Sequence, residues 1–124
     1  MNKLITMGAA LLLTAVSACS TGNGRAQGEV TEVVVYRVKA AKLAGFKTLS
    51  GHIHREARTF PGFISIKTVQ SAANPNEFMD IVRWKTKRQA MEAFKNFPKL
   101  PHAAEFMAAL DGKPVYAGHF GSDF

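Results

Sequence analysis

The sequence predicts an α+β fold in which an antiparallel sheet carries helices on one face. The first observation is the order of hydrophobic patterns along the 124 residues, which reads strand, helix, strand, strand, broken helix, strand. The second is a polar turn at residues 71–76 that joins the two middle strands into a hairpin. This order is typical of the split βαβ, or ferredoxin-like, arrangement, and the chain is long enough for one such domain.

The first strand is predicted at residues 30–39. Alternation places Val34 and Tyr36 on one face and Val33 and Val35 on the other. Both faces of this strand are therefore apolar.

The first helix is predicted at residues 41–59. Leu43, Phe46, Leu49 and Ile53 recur at steps of three and four, which is the helical period. The Phe-Pro-Gly sequence that follows is expected to end the helix and turn the chain into the hairpin.

The hairpin is predicted to consist of strands at residues 63–70 and 78–84. Both segments are rich in β-branched and aromatic residues. Between them, Pro75 fixes its own φ and disfavours a helical conformation at Asn74, so the chain turns there.

The second half of the chain repeats the helix-then-strand pattern. Thr86 and Gln89 have the spacing of a capping box at the start of a helix. Pro98 and Pro101 break that helix, and a short helix is expected at residues 102–110, with Gly112 as its C-terminal cap. The last strand is predicted at residues 115–120.

The N-terminus has the layout of a bacterial export signal. A short positive start is followed by an uncharged apolar stretch that ends in Val-Ser-Ala-Cys, which resembles the lipobox of bacterial lipoproteins. We expect residues 1–18 to be a signal peptide, Cys19 to be lipidated, residues 19–28 to form a tether and residues 29–124 to form the domain. The alternative is an ordinary export signal in which Cys19 occurs by chance.

This interpretation predicts an exported lipoprotein of the bacterial cell envelope, anchored in a membrane by its acyl chains. In a Gram-negative organism that would be the outer membrane or the periplasmic face. The net charge of +7 is spread along the chain instead of being gathered with aromatic residues, so we do not expect nucleic-acid binding.

The stretch PGFISIKTVQSAANPNEFMDIVRWKTKRQAMEAF, with PHAAEFMAAL and PVYAGHF after it, resembles the antibiotic biosynthesis monooxygenase domain family of the dimeric α+β barrel group. The resemblance implies a homodimer, as does the apolar second face of the sheet. It also implies chemistry on a small aromatic or quinone-like molecule. The haem-degrading members use an Asn, a Trp and a His where this chain has Tyr36, Phe94 and, approximately, His102, so haem degradation is not implied.

Four residues are candidates for a pocket between sheet and helices: Tyr36, His54, Trp84 and His102. Tyr36 can orient a substrate oxygen, Trp84 can form an apolar wall, and either His can act as a base near neutral pH. Each also has a structural explanation, since Tyr36 and Trp84 fit a core and His102 can simply begin a helix. Asp80 is a secondary candidate, because burial would raise its pKa unless it has a partner.

No metal site is expected, because the four His residues form no chelating spacing. No cofactor is expected either, because the periplasmic space offers no supply of reduced cofactor. Two hypotheses follow. The first is a cofactor-independent monooxygenase in which the substrate anion itself passes an electron to O₂. The second is a non-catalytic ligand-binding or dimerisation module of a lipoprotein.

Overall fold

The computed structural model describes residues 28–121 of the chain. The predicted signal peptide and the predicted lipidation site, Cys19, lie outside these residues. In the described part, no helix has both the length and the apolar character needed to cross a membrane. The regular elements in chain order are β1 (Val30–Arg37), α1 (Leu43–Ala57), β2 (Phe63–Gln70), β3 (Glu77–Trp84), α2 (Lys87–Asn96), α3 (Ala103–Ala109) and β4 (Tyr116–Gly121).

The four strands form one sheet in the order β2-β3-β1-β4, and every neighbouring pair is antiparallel. Strands β1 and β2, which α1 connects, are separated by β3, so the connection is a split βαβ unit. This confirms the predicted α+β, ferredoxin-like fold class. The two central strands, β1 and β3, hold Val34 opposite Asp80 and Tyr36 opposite Phe78.

Element boundaries differ from the predicted ones by a few residues. Strand β1 ends at Arg37, and Val38 instead forms an isolated bridge with Leu110. A single 3₁₀ turn, Ala40–Lys42, precedes α1. Gly112 was expected to cap α3, but the helix ends at an extended Leu110, and Gly112 has its φ of 83° in the turn that leads to β4.

The start of α2 is capped by a neighbouring hydroxyl, as predicted. Thr86 Oγ1 accepts a hydrogen bond from the backbone N of Gln89 at 3.1 Å. The Gln89 side chain does not reach back to a backbone N–H, as a full capping box would require. Its Oε1 instead accepts from the Thr86 hydroxyl at 3.2 Å.

The helices cover one face of the sheet, where two hydrophobic clusters form. One cluster joins α1 and α3 to β1 through Tyr36, Val38, Phe46, Leu49, Ile53, Phe106 and Ala109. The other joins α2 to β1 and β3 through Val30, Val82, Trp84, Ala90 and Ala93. Tyr36 of the first cluster and Trp84 of the second both line the cavity described below.

The opposite face of the sheet is apolar at its centre. Val33, Val35, Met79 and Ile81 lie on it, alternating with the residues that face the helices, and they are half-buried in the single chain. At its β4 edge, Tyr116 and Phe120 are 45% and 49% exposed and stack with ring centroids 6.3 Å apart.

Candidate active site

A cavity of about 340 Å³ lies between the sheet and helices α2 and α3. Its walls are mainly aliphatic and aromatic, and its polar side chains come from β1, β3 and the loop after α3. The residues around it are Glu32, Val34, Tyr36, Ile53, Ala57, Phe60, Ile66, Asp80, Val82, Trp84, Ala93, Phe94, Phe97, Phe106, Met107, Leu110, Gly112, Lys113 and Pro114. An apolar cavity with a few polar groups is typical of a small-molecule site.

Asp80 places a carboxylate in this cavity from the central strand β3. Its Oδ1 accepts hydrogen bonds from the Tyr36 hydroxyl at 3.0 Å and from Thr68 Oγ1 at 2.6 Å. Its Oδ2 has no hydrogen-bond partner among residues 28–121. Loss of solvent raises the pKa of Asp80, and the hydrogen bonds from Thr68 and Tyr36 partly oppose that rise.

Tyr36 is held rigidly beside Asp80. Only 2% of the residue is exposed, and its ring packs edge-on against Phe46 and Phe106. Burial and then the neighbouring Asp80 charge raise the pKa of the Tyr36 phenol. The hydroxyl therefore stays protonated and acts as a donor to the carboxylate.

A second carboxylate, Glu32 of β1, lies in the same cavity. Its Oε1 accepts a hydrogen bond from Trp84 Nε1 at 2.9 Å, and loss of solvent raises the pKa of the Glu32 carboxyl. His119 of β4 is directly opposite, with its Nε2 3.9 Å from Glu32 Oε2. That nitrogen is buried and has no hydrogen-bond partner among the described residues.

His54 does not line this cavity but a second groove of about 570 Å³ on the β2 side of α1. Its Nε2 lies 2.7 Å from Thr68 Oγ1 and 3.4 Å from Ser50 Oγ. Loss of solvent lowers the pKa of His54, so the ring is neutral at physiological pH. Thr68 therefore connects His54 to Asp80.

His102 lies away from both cavities, at the start of α3. Its ring Nδ1 pairs with Glu56 Oε2, and its backbone N donates to Glu56 Oε1 at 3.1 Å. Its ring also stacks on His52, with centroids 4.1 Å apart. Loss of solvent alone would raise the pKa of Glu56, but the hydrogen bonds from His102 lower it. His102 therefore ties α1 to the start of α3.

Of the four residues predicted from the sequence, Tyr36 and Trp84 line the cavity, His54 reaches it through Thr68, and His102 does not approach it. The sequence reasoning missed Glu32 and Thr68. A signal was available for both, because alternation puts each of them on the same face as neighbouring core residues. Within residues 28–121, no three His, Cys, Asp or Glu side chains come together as a metal site requires.

This arrangement can remove a proton from an apolar ligand. Asp80 lines a cavity walled by aromatic rings, and its raised pKa makes the carboxylate a stronger base than an exposed Asp. The same walls shield a reactive anion from water once a ligand fills the site.

Several solved structures have the same fold. The cofactor-independent oxygenase SnoaB from Streptomyces nogalater is 23% identical with a TM-score of 0.66, over 78% of this chain and 95% of that chain. A Nitrosomonas europaea protein assigned to the antibiotic biosynthesis monooxygenases is 19% identical with a TM-score of 0.63, over 79% of this chain and 93% of its own. A conserved protein from Methanosarcina mazei is 17% identical with a TM-score of 0.63, over 81% of this chain and 98% of that chain.

These identities establish a shared fold. No curated protein sequence matches the chain. The sequence profile described as antibiotic biosynthesis monooxygenase matches residues 29–109, which span all of the elements from β1 to α3. The profile covers more than half of the chain, and the protein therefore belongs to the antibiotic biosynthesis monooxygenase family.

Proposed function

We propose that this protein is a cofactor-independent monooxygenase acting on a small aromatic or quinone-like compound. The observation that carries the proposal is a desolvated carboxylate, Asp80, fixed by Tyr36 and Thr68 in an aromatic-walled cavity. A flat apolar ligand fits such walls, and the free Oδ2 is placed to accept its most acidic proton.

The chemistry balances without a cofactor if the substrate carries an activated CH₂ group. Asp80 removes one proton, and the resulting anion is electron-rich enough to reduce O₂. One oxygen atom becomes a carbonyl oxygen on the carbon. The other leaves as water with the two hydrogens that the carbon carried, so the substrate supplies all four electrons. The protein contributes the base, the dry cavity and the orientation of the ligand.

Tyr36 and Trp84 serve this reaction in different ways. Tyr36 stabilises the ionised form of Asp80 by its hydrogen bond, so the carboxylate is available as a base. Trp84 presents an aromatic wall while its N–H is occupied by Glu32. Neither residue changes oxidation state in the proposed reaction.

Oxygen uptake tests the proposal. The purified protein is screened with quinols, polyphenols, anthrone-type compounds and haem, and incorporation of labelled O₂ into products is followed by mass spectrometry. Asp80→Asn should lower turnover by about 100-fold or more, since that is the usual contribution of a general base. Asp111→Asn makes the same change at an exposed site and should retain turnover.

A ligand that binds without oxygen uptake would contradict the enzyme and favour the non-catalytic binding module. Oxygen uptake that survives Asp80→Asn would instead show that another group is the base.

We also propose that the domain is tethered to a membrane of the bacterial cell envelope through a lipidated Cys19. The support is the sequence Val-Ser-Ala-Cys after an apolar stretch with a basic start. Cys19→Ser should leave the protein unprocessed or soluble. Membrane fractionation and incorporation of labelled acyl chains measure this, and continued acylation of the variant would refute the lipobox.

The open face of the sheet supports a homodimer. Its apolar centre, with Val33, Val35, Met79 and Ile81, is bordered by the ion pairs Arg37–Glu77 and Arg83–Glu29, so charges of both signs surround it. A face of this kind can match a second copy of itself about a two-fold axis. Ile81→Glu should give a monomer by light scattering, and a wild-type protein that is monomeric at micromolar concentration would contradict the dimer.

A further inference from the structure

The cavity and the second groove are separated by an aromatic wall. Phe46 and Phe78 are in contact, with ring centroids 4.8 Å apart, and Tyr36 packs on both rings, at 6.0 and 6.2 Å. Tyr36 lines the cavity, whereas the two Phe residues line the groove. Water and ions do not pass readily through such a wall.

A row of polar groups runs beside this wall from one side to the other. Asp80 lines the cavity, Thr68 Oγ1 lies 2.6 Å from its Oδ1, and His54 Nε2 is 2.7 Å further on, in the groove. The register places Thr68 directly opposite Asp80 on neighbouring strands, so their side chains share a face of the sheet. Three elements, β3, β2 and α1, thus hold the row in place.

We propose that Thr68 and His54 form a proton relay that connects Asp80 with solvent in the second groove. A ligand in the cavity covers the Oδ2 side of Asp80, and the Oδ1 side then remains the route by which the carboxyl can exchange its proton. The relay deepens the oxygenase function proposed above, because it resets the same base while the cavity is occupied.

The relay has two states that use the same hydrogen-bond distances. When Asp80 is ionised, the Thr68 hydroxyl donates to Oδ1, so His54 must donate from Nε2 to Thr68. When Asp80 is protonated on Oδ1, the carboxyl donates to Thr68 and Thr68 donates to His54 Nε2, which leaves the ring proton on Nδ1.

The change from the protonated to the ionised state moves three protons by one step each. The Asp80 proton passes to Thr68, the Thr68 proton passes to His54 Nε2, and the proton on His54 Nδ1 passes to water in the groove. The reverse sequence brings a proton from water in the groove to Asp80. Asp80 thus loses one proton in the first direction and gains one in the second, and His54 is neutral before and after either step.

Other titratable or charged groups lie near the two ends of the relay. Tyr36 and Glu32, both on β1, face Asp80 from across the sheet. Lys47 of α1 lines the same groove as His54. Loss of solvent lowers the pKa of His54, the Asp80 charge raises it, and the Arg58 charge lowers it again. The pKa is lowered overall, which favours a relay through a neutral ring.

Nuclear magnetic resonance of the full chain with ¹⁵N-labelled His tests the relay without any substrate. The two ring nitrogens of a neutral His have different chemical shifts, so the tautomer is read directly. We expect His54 to change from the Nδ1–H to the Nε2–H tautomer as pH rises, at the same pH at which the Asp80 carboxyl carbon titrates. One tautomer maintained throughout that titration would overturn the proposal.

Variants separate the relay from a structural role. Thr68→Ser keeps the hydroxyl and should keep the coupled change of tautomer, whereas Thr68→Val should abolish it. Asp80→Asn should abolish it as well. Coupling that persists in Thr68→Val would refute the route, and the wild type and Thr68→Ser decide the question if Thr68→Val does not fold. Because these measurements need no turnover, they stand or fall independently of the oxygenase activity.

Discussion

The Tyr36 hydroxyl donates to Asp80 Oδ1 at 3.0 Å across the two central strands of the sheet. Asp80 is directly opposite Val34, so Tyr36 and Asp80 are diagonal neighbours on the face that packs against the helices. An apolar pair in these positions would fill the core without desolvating a carboxylate. A half-buried, desolvated acid at this place is therefore explained by chemistry more readily than by stability.

Asp80→Asn should make the protein more stable at neutral pH. Burial raises the folded-state pKa of Asp80 above its ordinary value of 3.8, so the folded protein holds the proton more strongly than the unfolded chain. The contribution of Asp80 to the free energy of unfolding is therefore lost as pH rises from 3.8 through the raised pKa. The melting temperature of Asp80→Asn, relative to wild type, should increase over that interval and remain higher above it.

Asp111→Asn serves as the control, since Asp111 is exposed and has no resolved interaction with the cavity. A variant of Asp80 that is less stable than wild type at neutral pH would show that the hydrogen bonds from Tyr36 and Thr68 outweigh the desolvation.

Tyr36→Phe should raise the pKa of Asp80 further. The hydrogen bond from Tyr36 stabilises the ionised carboxylate, and its removal leaves desolvation less opposed. A hydrogen bond to a charged group contributes about 1.5–3 kcal/mol, so the acid limb of the pH–rate profile should move to higher pH by about one unit or more. Tyr116→Phe is the matched control, and an acid limb that moves equally in both variants would contradict this role.

The fold was predictable from the sequence because its signals are local. The hairpin strand β2 was predicted with its observed bounds, Phe63–Gln70, since β-branched residues and the turn at Pro75 act within a few positions. The end of α3 is less predictable. Local sequence favours a glycine cap at position 112, yet α3 ends at Ala109, because the next residue, Leu110, is extended and pairs with Val38 in a long-range bridge.

The site was less predictable because its partners are distant in the chain. Tyr36 and Asp80 are separated by 44 positions, and Thr68 joins them only through the strand register. Judged by residue type alone, His54 and His102 are equally good candidates for a catalytic base. The structure distinguishes them, because His102 pairs with Glu56 on α1 while His54 contacts Thr68.

Trp84 and Glu32 should be energetically coupled through their 2.9 Å hydrogen bond. Trp84→Phe leaves a buried carboxylate oxygen without its donor, which costs about 1–3 kcal/mol of unfolding free energy. Trp84→Phe, Glu32→Leu and the double variant form a cycle, and denaturation followed by circular dichroism should give a coupling energy of about this size. Strictly additive effects would mean that the hydrogen bond contributes nothing to stability.

His102→Gln should lower the free energy of unfolding above pH 4.5 and leave turnover unchanged. The hydrogen bonds from His102 lower the pKa of Glu56 below its ordinary 4.5, so this carboxylate contributes stability above that pH and loses it as pH falls through its folded-state pKa. The difference in unfolding free energy between wild type and variant should therefore shrink in acid. A large loss of turnover in His102→Gln would instead return His102 to the active site.

Gly62→Ala should destabilise the turn between α1 and β2. Gly62 has a φ of 84°, in the left-handed region where a residue with a Cβ costs about 1–2 kcal/mol. A Cβ at this position would also collide with the Gln89 side chain, including the Gln89 Cβ at 2.7 Å. Gln89→Ala combined with Gly62→Ala should recover only the part of the clash due to the outer atoms of Gln89, because alanine keeps the Cβ. Thermal melting of the single and double variants measures the recovered part, and a double variant as stable as Gln89→Ala alone would show that neither the backbone conformation nor the remaining clash costs stability.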